Sequence, residues 1–292
     1  MASLKEVKNR IGSVVSTQQI TKAMKMVAAA KLRRSQEKIL QMRPFAQKLE
    51  AIFRNVSSTQ EGDTAWYSEA RREKNILLIV ISSDRGLCGS FNSNLFKETM
   101  KTVAETYDSQ WKEGTITVLP LGKRGQDYFR KRNFSLIPQF VNVFHDLTYD
   151  NVSSIADFVM NEFKERRFDK VVLFYNEFKN VATQVLRAEQ YLPVMPPAEV
   201  DAIRNIEYIY QPDQEEILAG LIPKSLKVQL FKALLDSNAA ENGARMTAMD
   251  KATENAGELL KELRLTYNRT RQAAITKEIL EIVGGAEALK SS

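Results

Sequence analysis

Residues with obvious chemical reactivity are few in this 292-residue chain. Cys88 is the only cysteine and His145 the only histidine. A disulfide within the chain and a cysteine-based zinc site are therefore excluded, and a histidine-based metal cluster or catalytic triad is not expected. No pair of carboxylates is placed as an acid/base couple. Cys88 is interpreted as a packed structural residue and His145 as a solvated or core side chain.

The loop from Asp84 to Gly89 is the stretch that could bind a phosphate. It follows the apolar run Asn75–Ile81 and precedes a predicted helix that starts at Phe91, which is where Rossmann folds bind dinucleotides. Its glycine spacing is not G-x-G-x-x-G, however, and the acidic side chain of Asp84 would repel a phosphate. A tight turn with satisfied backbone groups is favoured, with a nucleotide site as the alternative.

Positive charge is concentrated near the N-terminus. Residues 1–55 hold twelve Lys or Arg residues and three acidic ones, a net charge of +9 against +6 for the whole chain. Such a segment predicts an acidic partner. Residues 1–44 contain no aromatic side chain that could stack on a nucleobase, and they lack the broad apolar face that suits a membrane. Acidic protein loops fit best, and a basic coiled coil that binds nucleic acid stays open as an alternative.

Long helices at both ends of the chain must position these charges. From Leu235 to Ala274, uncharged residues recur at alternating steps of four and three, with charged residues between them. This repeat is typical of a coiled-coil seam. The helix predicted over Lys224–Val283 would be roughly 90 Å long at ~1.5 Å per residue, so it needs a partner helix. Close packing is expected at Gly243 and Gly257, where glycine otherwise weakens a helix.

The partner is predicted over residues 3–55. Apolar residues there first follow the positions Leu4, Val7, Ile11 and Val14, and then shift phase to Ile20, Met24 and Val27. Pro44 lacks an amide hydrogen, so a kink or break is expected near Arg43 and Pro44. The C-terminal helix is the longer of the two, and its last turns should project beyond residue 1.

The middle of the chain alternates short apolar runs with helical stretches between residues 75 and 192, and a last strand is predicted over 205–210. Such alternation predicts an α/β layer with a mostly parallel sheet. The predicted fold is therefore a Rossmann-like α/β domain inserted between two terminal helices that pair as a long antiparallel coiled coil. The predicted domains are the N-terminal helix 1–57, the α/β domain 58–211 and the C-terminal helix 212–292.

Several stretches resemble the gamma subunit of F-type ATP synthases, of the bacterial type. They cover both ends and the centre of the chain: Ser3–Val14, Thr17–Lys31, Ser82–Gly89, Arg245–Ala256 and Tyr267–Ala288. The resemblance implies a non-catalytic rotor shaft without a cofactor, which couples ion-driven rotation of a membrane ring to ATP synthesis or hydrolysis. It also implies that the segment 84–89 binds no nucleotide.

The resemblance implies partners as well. They are the alpha and beta subunits of the catalytic ring, the epsilon subunit and the c-ring, with no nucleic acid and with membrane contact only through the complex. The expected location is the cytoplasmic face of the bacterial inner membrane, since the first residues resemble no export or import signal. Because the chain has one cysteine, regulation by a pair of thiols is not expected.

Eleven residues fall in the motifs that contact the catalytic ring in that family. The basic group on the N-terminal helix surrounds Met24 and would face an acidic loop of a beta subunit. It comprises Lys22, Met24, Lys25, Lys31, Arg33 and Arg34. The second group lies in the C-terminal motif and comprises Arg269, Arg271, Gln272, Thr276 and Glu278. The alternative function is a nucleotide-dependent α/β enzyme with a coiled-coil dimerisation arm, which rests on the loop 84–89 alone.

Overall fold

The computed structural model describes residues 3–56, 65–181, 183–194 and 214–290. The predicted domain boundaries at 57/58 and 211/212, and the strand predicted over 205–210, lie outside these residues. The chain forms two compact units. The terminal unit comprises Met1–Ala28 and Met246–Ser292, and the central unit comprises Ala29–Arg245.

Helices dominate both ends of the described chain, and strands lie in its middle. The helices are α1 (Leu4–Val56), α2 (Phe91–Thr106), α3 (Asp108–Glu113), α4 (Lys123–Arg130), α5 (Tyr149–Lys164) and α6 (Gln214–Lys290). The strands are β1 (Ile76–Ile81), β2 (Ile116–Leu121), β3 (Ser135–Leu136), β4 (Lys170–Phe178) and β5 (Gln184–Leu192). Short 3-10 turns occur at Ala65–Tyr67, Pro138–Phe140 and Val143–His145.

Helices α1 and α6 pair antiparallel, as predicted. In the terminal unit the hydroxyls of Thr21 and Thr253 are 2.7 Å apart and share a hydrogen bond. In the central unit the Ser35 hydroxyl donates to the side-chain oxygen of Asn238 over 2.9 Å. Residue numbers rise along one helix as they fall along the other. The two helices therefore run in opposite directions.

The seam predicted on α6 is confirmed by burial. Each of its positions from Leu235 to Thr270 is buried or half-buried, and Ala274 is the first exposed one. Gly257 packs closely as expected, since a Cβ atom there would lie 3.1 Å from the Gln18 side-chain nitrogen. A Cβ atom at Gly243 would lie 3.4 Å from the Phe178 ring.

The seam predicted on α1 is wrong after its first turns. Ile20 and Val27 are exposed, at 59% and 58%. The inner face instead continues the initial four-three repeat without a shift, through small and polar positions. These inner positions are Val7, Ile11, Val14, Gln18, Thr21, Lys25, Ala28, Leu32, Ser35 and Ile39. The physical reason is that several of the polar ones find partners on α6, so apolar character does not mark the buried face.

Neither proline interrupts its helix. Pro44 lies inside α1 and Pro223 lies inside α6. The break expected at Pro44 is therefore wrong, and the kink that was the other expectation there stays a prediction. One proline removes a single hydrogen bond at a cost of about 3 kcal/mol, which packing along a long paired helix can offset.

The central unit is built on one sheet. In the described part of the chain its strand order is β3-β2-β1-β4-β5, with all neighbouring pairs parallel except β4 and β5. The odd-numbered residues of β1 pack with α5 and α6, and the even-numbered ones pack with α2 and α4. The sheet is therefore covered on both faces, which explains why β1 is apolar throughout.

Helix α6 is part of this core as well as of the coiled coil. Ile222, Leu226, Leu230 and Leu234 recur every four residues, and each is at most 4% exposed within the core on the α5 side of the sheet. A four-residue spacing places them on one face of the helix. This stretch of α6 thus closes one layer of the α/β fold.

Candidate partner-binding surfaces

Part of the predicted basic group lies in the terminal unit. Lys22 is exposed, while Met24 and Lys25 are half-buried beside α6. The Lys25 ammonium forms an ion pair with Asp250 in which both side chains keep 40% or more of their surface in water. An exposed pair of this kind contributes little to stability. Its charge stays accessible to another protein.

The remaining basic residues lie in the central unit. Lys31, Arg33 and Arg34 are all exposed. The Arg33 guanidinium pairs with Glu37 one turn further along α1, over 3.2 Å. Lys31 and Arg34 instead line an open cavity of about 610 Å³ between α1, α6 and the loops after β1 and before α5. The predicted basic residues therefore do not share one environment. Lys25 and Arg33 form ion pairs, whereas Lys31 and Arg34 line the cavity.

The cavity also contains residues that the sequence prediction omitted. Lys38, Arg85 and His145 contribute to its lining. Lys38 follows Arg34 by four residues and Lys31 by seven, so helical spacing alone places these three cations on one face of α1. Arg85 and His145 come from separate loops, and no spacing rule would have grouped them with α1. The lining also includes Asp84, Asp146 and Glu241, so the cavity is moderately rather than strongly basic.

The second predicted group lies at the far end of α6. All five of its residues are exposed: Arg269, Arg271, Gln272, Thr276 and Glu278. The Thr276 hydroxyl donates to the Gln272 carbonyl within the helix. From residue 271 to residue 286 every position is exposed. These side chains are available to a partner outside the chain.

Large apolar side chains are exposed beside both groups. On α1 these include Ile20, Met26 and Val27, and on α6 they include Ile275, Ile279, Leu280, Ile282 and Val283. Exposed aliphatic side chains scattered singly are ordinary, but a run along one helix end marks an interaction surface. The charged groups are thus accompanied by apolar contact area.

The loop 84–89 is closed by its own polar groups. The Asn92 side chain accepts from the Ser83 amide over 3.1 Å and donates to the Ser83 hydroxyl over 2.7 Å. The Asp84 carboxylate accepts from the Lys123 amide over 3.1 Å, so this acid occupies a position where a phosphate would need a donor. The loop therefore forms a turn tied to its neighbours by side-chain hydrogen bonds.

Cys88 is packed inside this loop. It is 2% exposed, and its sulfur accepts a hydrogen bond from the Asn92 side-chain nitrogen over 3.3 Å. Burial raises the pKa of the Cys88 thiol, and a contact with Ser83 opposes this in part. A buried thiol with a raised pKa is a poor nucleophile. His145 is exposed.

Comparisons with known proteins agree with this arrangement. Residues 3–289 match the family described as ATP synthase. The chain is 51% identical to the ATP synthase gamma chain of Cytophaga hutchinsonii, over 100% of both chains, and 51% identical to that of Flavobacterium johnsoniae, over 99% of both. A chain in the cryo-EM structure of the Euglena gracilis mitochondrial ATP synthase, OSCP/F1/c-ring in rotational state 3, matches with a TM-score of 0.70. That match covers 99% of this chain and 95% of the other at 19% identity, and at this identity it shows the fold.

The chain belongs to the ATP synthase gamma chain family. It is a non-catalytic subunit of an ATP synthase and forms part of its central stalk. The nucleotide-dependent enzyme considered from the sequence is not favoured. Among the residues that the structure describes, no helix is both long enough and apolar enough to cross a membrane.

Proposed function

We propose that the chain acts as the rotor shaft through two contact regions. The first is formed by cations. In the central unit it is the basic face of α1, comprising Lys31, Arg34 and Lys38 with the loop residue Arg85. In the terminal unit it is the separate pair Lys22 and Lys25. This first region meets acidic loops of the beta subunits. The second is α6 from Arg269 onward, which is held inside the ring of alpha and beta subunits.

The free end of α6 carries this proposal. Sixteen consecutive positions, 271–286, are exposed, and five of them are large aliphatic residues. A single helix in water gains little from such residues, because helices of this length depend on packing of their apolar face. A surrounding ring supplies that packing. The exposed polar residues Gln272, Thr276 and Glu278 then contact the same ring.

The basic face supports the proposed contact with acidic loops of the beta subunits. Cations at residues 31, 34 and 38 share one side of α1, and Arg85 adds a cation from the loop after β1. Clusters of one sign attract partners of the other sign and set their orientation more than their affinity. As the shaft rotates, this face would meet the acidic loop of each beta subunit in turn, so each loop would respond to the rotation angle of the shaft. The central unit is the part that meets the epsilon subunit and the c-ring, at the cytoplasmic face of the membrane.

Assembly with purified partners is the first test. The chain is mixed with the alpha and beta subunits of a close relative and passed through a sizing column. Co-elution with ATPase activity is expected. A chain that stays monomeric under conditions where the relative's own gamma chain assembles would contradict the proposal.

Substitution of Met24 tests the contact with the beta subunits. Met24→Lys adds a cation between Lys22 and Lys25 on α1. The attraction to an acidic loop should therefore become stronger, and this contact should oppose rotation. The ratio of ions pumped to ATP hydrolysed is expected to fall about twofold or more. Ser16→Lys is the matched control, because Ser16 is exposed on the same helix about two turns before Met24 and outside both predicted groups. An unchanged ratio for Met24→Lys, or an equal loss in both variants, would count against the assignment.

A further inference from the structure

The crevice where a doubly wound sheet normally binds its ligand is filled by α6. The strand order changes direction between β1 and β4, and ligands of such folds bind outside the carboxyl ends of the strands at that point. Here the Ser237 hydroxyl of α6 reaches the carbonyl of Ile81, the last residue of β1, over 3.4 Å. Gly243 packs against the ring of Phe178, the last residue of β4. The helix of the coiled coil therefore occupies the place of a ligand.

Arg245 makes the most specific contact in this crevice. One nitrogen of its guanidinium, Nη2, donates to the Arg85 carbonyl over 3.0 Å and to the Gly86 carbonyl over 3.3 Å. Its other terminal nitrogen, Nη1, pairs with the Glu241 carboxylate one turn earlier on α6, over 2.7 Å. Both side chains are 12% exposed. A buried guanidinium that engages three oxygens at once is held in one geometry.

Glu241 supports this geometry from within the helix. Burial raises the pKa of its carboxyl group, and the neighbouring Arg245 charge opposes the shift. Ion pairing at this distance fixes the orientation of the guanidinium plane, so its remaining donors point at the loop. Glu241 is thus a positioning residue for Arg245.

The loop held by Arg245 is fastened on its other side to α4. The Arg124 amide donates to the Ser83 carbonyl over 3.1 Å, and the Gly125 amide donates to the Ser82 hydroxyl over 2.8 Å. At Gly122 the backbone is so close that an added Cβ atom would lie 2.2 Å from the Ser82 carbonyl oxygen. A continuous chain of hydrogen bonds therefore runs from α6 through the loop after β1 to the start of α4.

We infer that Arg245 is a mechanical clamp that fastens the central-unit part of α6 to the loop 82–90, so that this part of the helix and the α/β sheet turn as one piece. This inference rests on the proposed rotor function. Arg245 is the last residue of α6 within the central unit. A fastening at this position carries load where the helix leaves the α/β layer. The clamp adds a charge-assisted contact to the Ser237 hydrogen bond and the apolar packing that hold α6 in the crevice.

Hydrogen exchange on the isolated chain tests the clamp without reference to rotation. Arg245→Gln removes the charge and the forked donor group, and exchange of the amides in residues 82–92 is expected to rise about tenfold, since loss of a charge-assisted hydrogen bond loosens the loop it holds. Arg264→Gln is the matched control on an exposed part of α6 and should leave these amides unchanged. Arg245→Lys keeps the charge but cannot reproduce the forked geometry, so an intermediate increase is expected. Unchanged exchange in both Arg245 variants, with circular dichroism showing that they fold, would overturn the clamp.

Coupling in the assembled complex tests its mechanical role. With the wild-type chain assembled into membrane vesicles, Arg245→Gln should assemble normally but pump about half as many ions per ATP hydrolysed, with Arg245→Lys between the two. Normal coupling despite a loosened loop would overturn the inference while leaving the rotor function intact. Failure of the wild-type chain to assemble would instead contradict the proposed function, and the exchange experiment would then decide the clamp by itself.

Discussion

Helix α6 has different surroundings in its core, coiled-coil and unpartnered segments, although the repeat that starts at Leu235 extends into all three. Between residues 222 and 245, within the central unit, most positions are buried. The consecutive residues Ala239 and Ala240 are both buried, so more than one side of the helix is covered there. Between residues 246 and 270 burial is largely confined to the seam, and beyond 270 it ends. The same pattern thus gives a core helix, a two-stranded coil and an unpartnered helix in succession. What surrounds the helix, rather than its own sequence, decides how much stability each residue contributes.

The largest effect is expected in the first of these segments. Leu230 is fully buried in the sheet core, and Leu230→Ala should lower the free energy of unfolding by about 3–5 kcal/mol, because a closed core retains the cavity. Urea titration followed by circular dichroism measures this. Leu265→Ala is the matched control on the same helix, since Leu265 is 60% exposed, and it should cost below about 0.5 kcal/mol. Equal losses in the two variants would erase the distinction between the segments.

An intermediate effect is expected in the two-stranded segment. Leu260 is 6% exposed on the seam of the terminal unit. Leu260→Ala should lower the free energy of unfolding by roughly 1.5–3 kcal/mol, because the seam has only two helices and its gap can fill with water, leaving chiefly the transfer term. The same titration measures it. A loss larger than that of Leu230→Ala would show that the coil, and not the sheet, is the tighter packing environment.

A smaller effect is expected from the polar part of the seam. Thr253→Val removes the hydroxyl that bonds Thr21 while nearly keeping the shape of the side chain. The expected loss is about 0.5–1.5 kcal/mol, the usual net contribution of one hydrogen bond. A double-mutant cycle with Thr21→Val isolates the pair, and the double variant should lose less than the sum of the single ones. Strict additivity would show that the two hydroxyls do not interact.

The smallest effect on stability is expected at the unpartnered end. Removal of residues 271–292 deletes a stretch whose described positions, 271–286, are all exposed, so the free energy of unfolding of the isolated chain should change by less than about 0.5 kcal/mol. Binding to the catalytic ring should weaken in the same variant, as the proposed function requires. A loss of several kcal/mol in the isolated chain would mean that this end is held by the chain itself.

The sequence predicted the fold class and the α6 seam, because both depend on patterns within a short stretch. It did not predict the inner face of α1. Gln18, Thr21 and Ser35 look like surface residues until their partners on α6 are known, and those partners are more than 200 residues away. The antiparallel direction of β5 follows from its connection to β4 and not from its residues.

The candidate surfaces show the same division. The cations on α1 could be grouped from their spacing, because one helix holds them. Arg85 and His145 join them only through the folding of three separate elements. The contact of Arg245 with residues 85 and 86 spans about 160 positions and involves backbone carbonyls, which every residue has. No residue type could have signalled it. The preference for a tight turn at 84–89 over a nucleotide site rests on the glycine spacing and on the charge of Asp84, both of which the sequence shows directly.

The hydrogen bond between the Thr21 and Thr253 hydroxyls also favours one register of α1 along α6. If α1 slipped along α6 by one heptad, Thr21 would stand opposite Met246 or Leu260, and the hydrogen bond across the seam would be lost while each hydroxyl kept only its bond to its own helix. Such a slip would lengthen or shorten the free end of α6 by about 10 Å, at ~1.5 Å per residue. Polar seam residues specify register in this way at some cost in stability. The threonine pair thus helps to fix the register of the two helices. The register in turn fixes the length of α6 that extends beyond the start of α1.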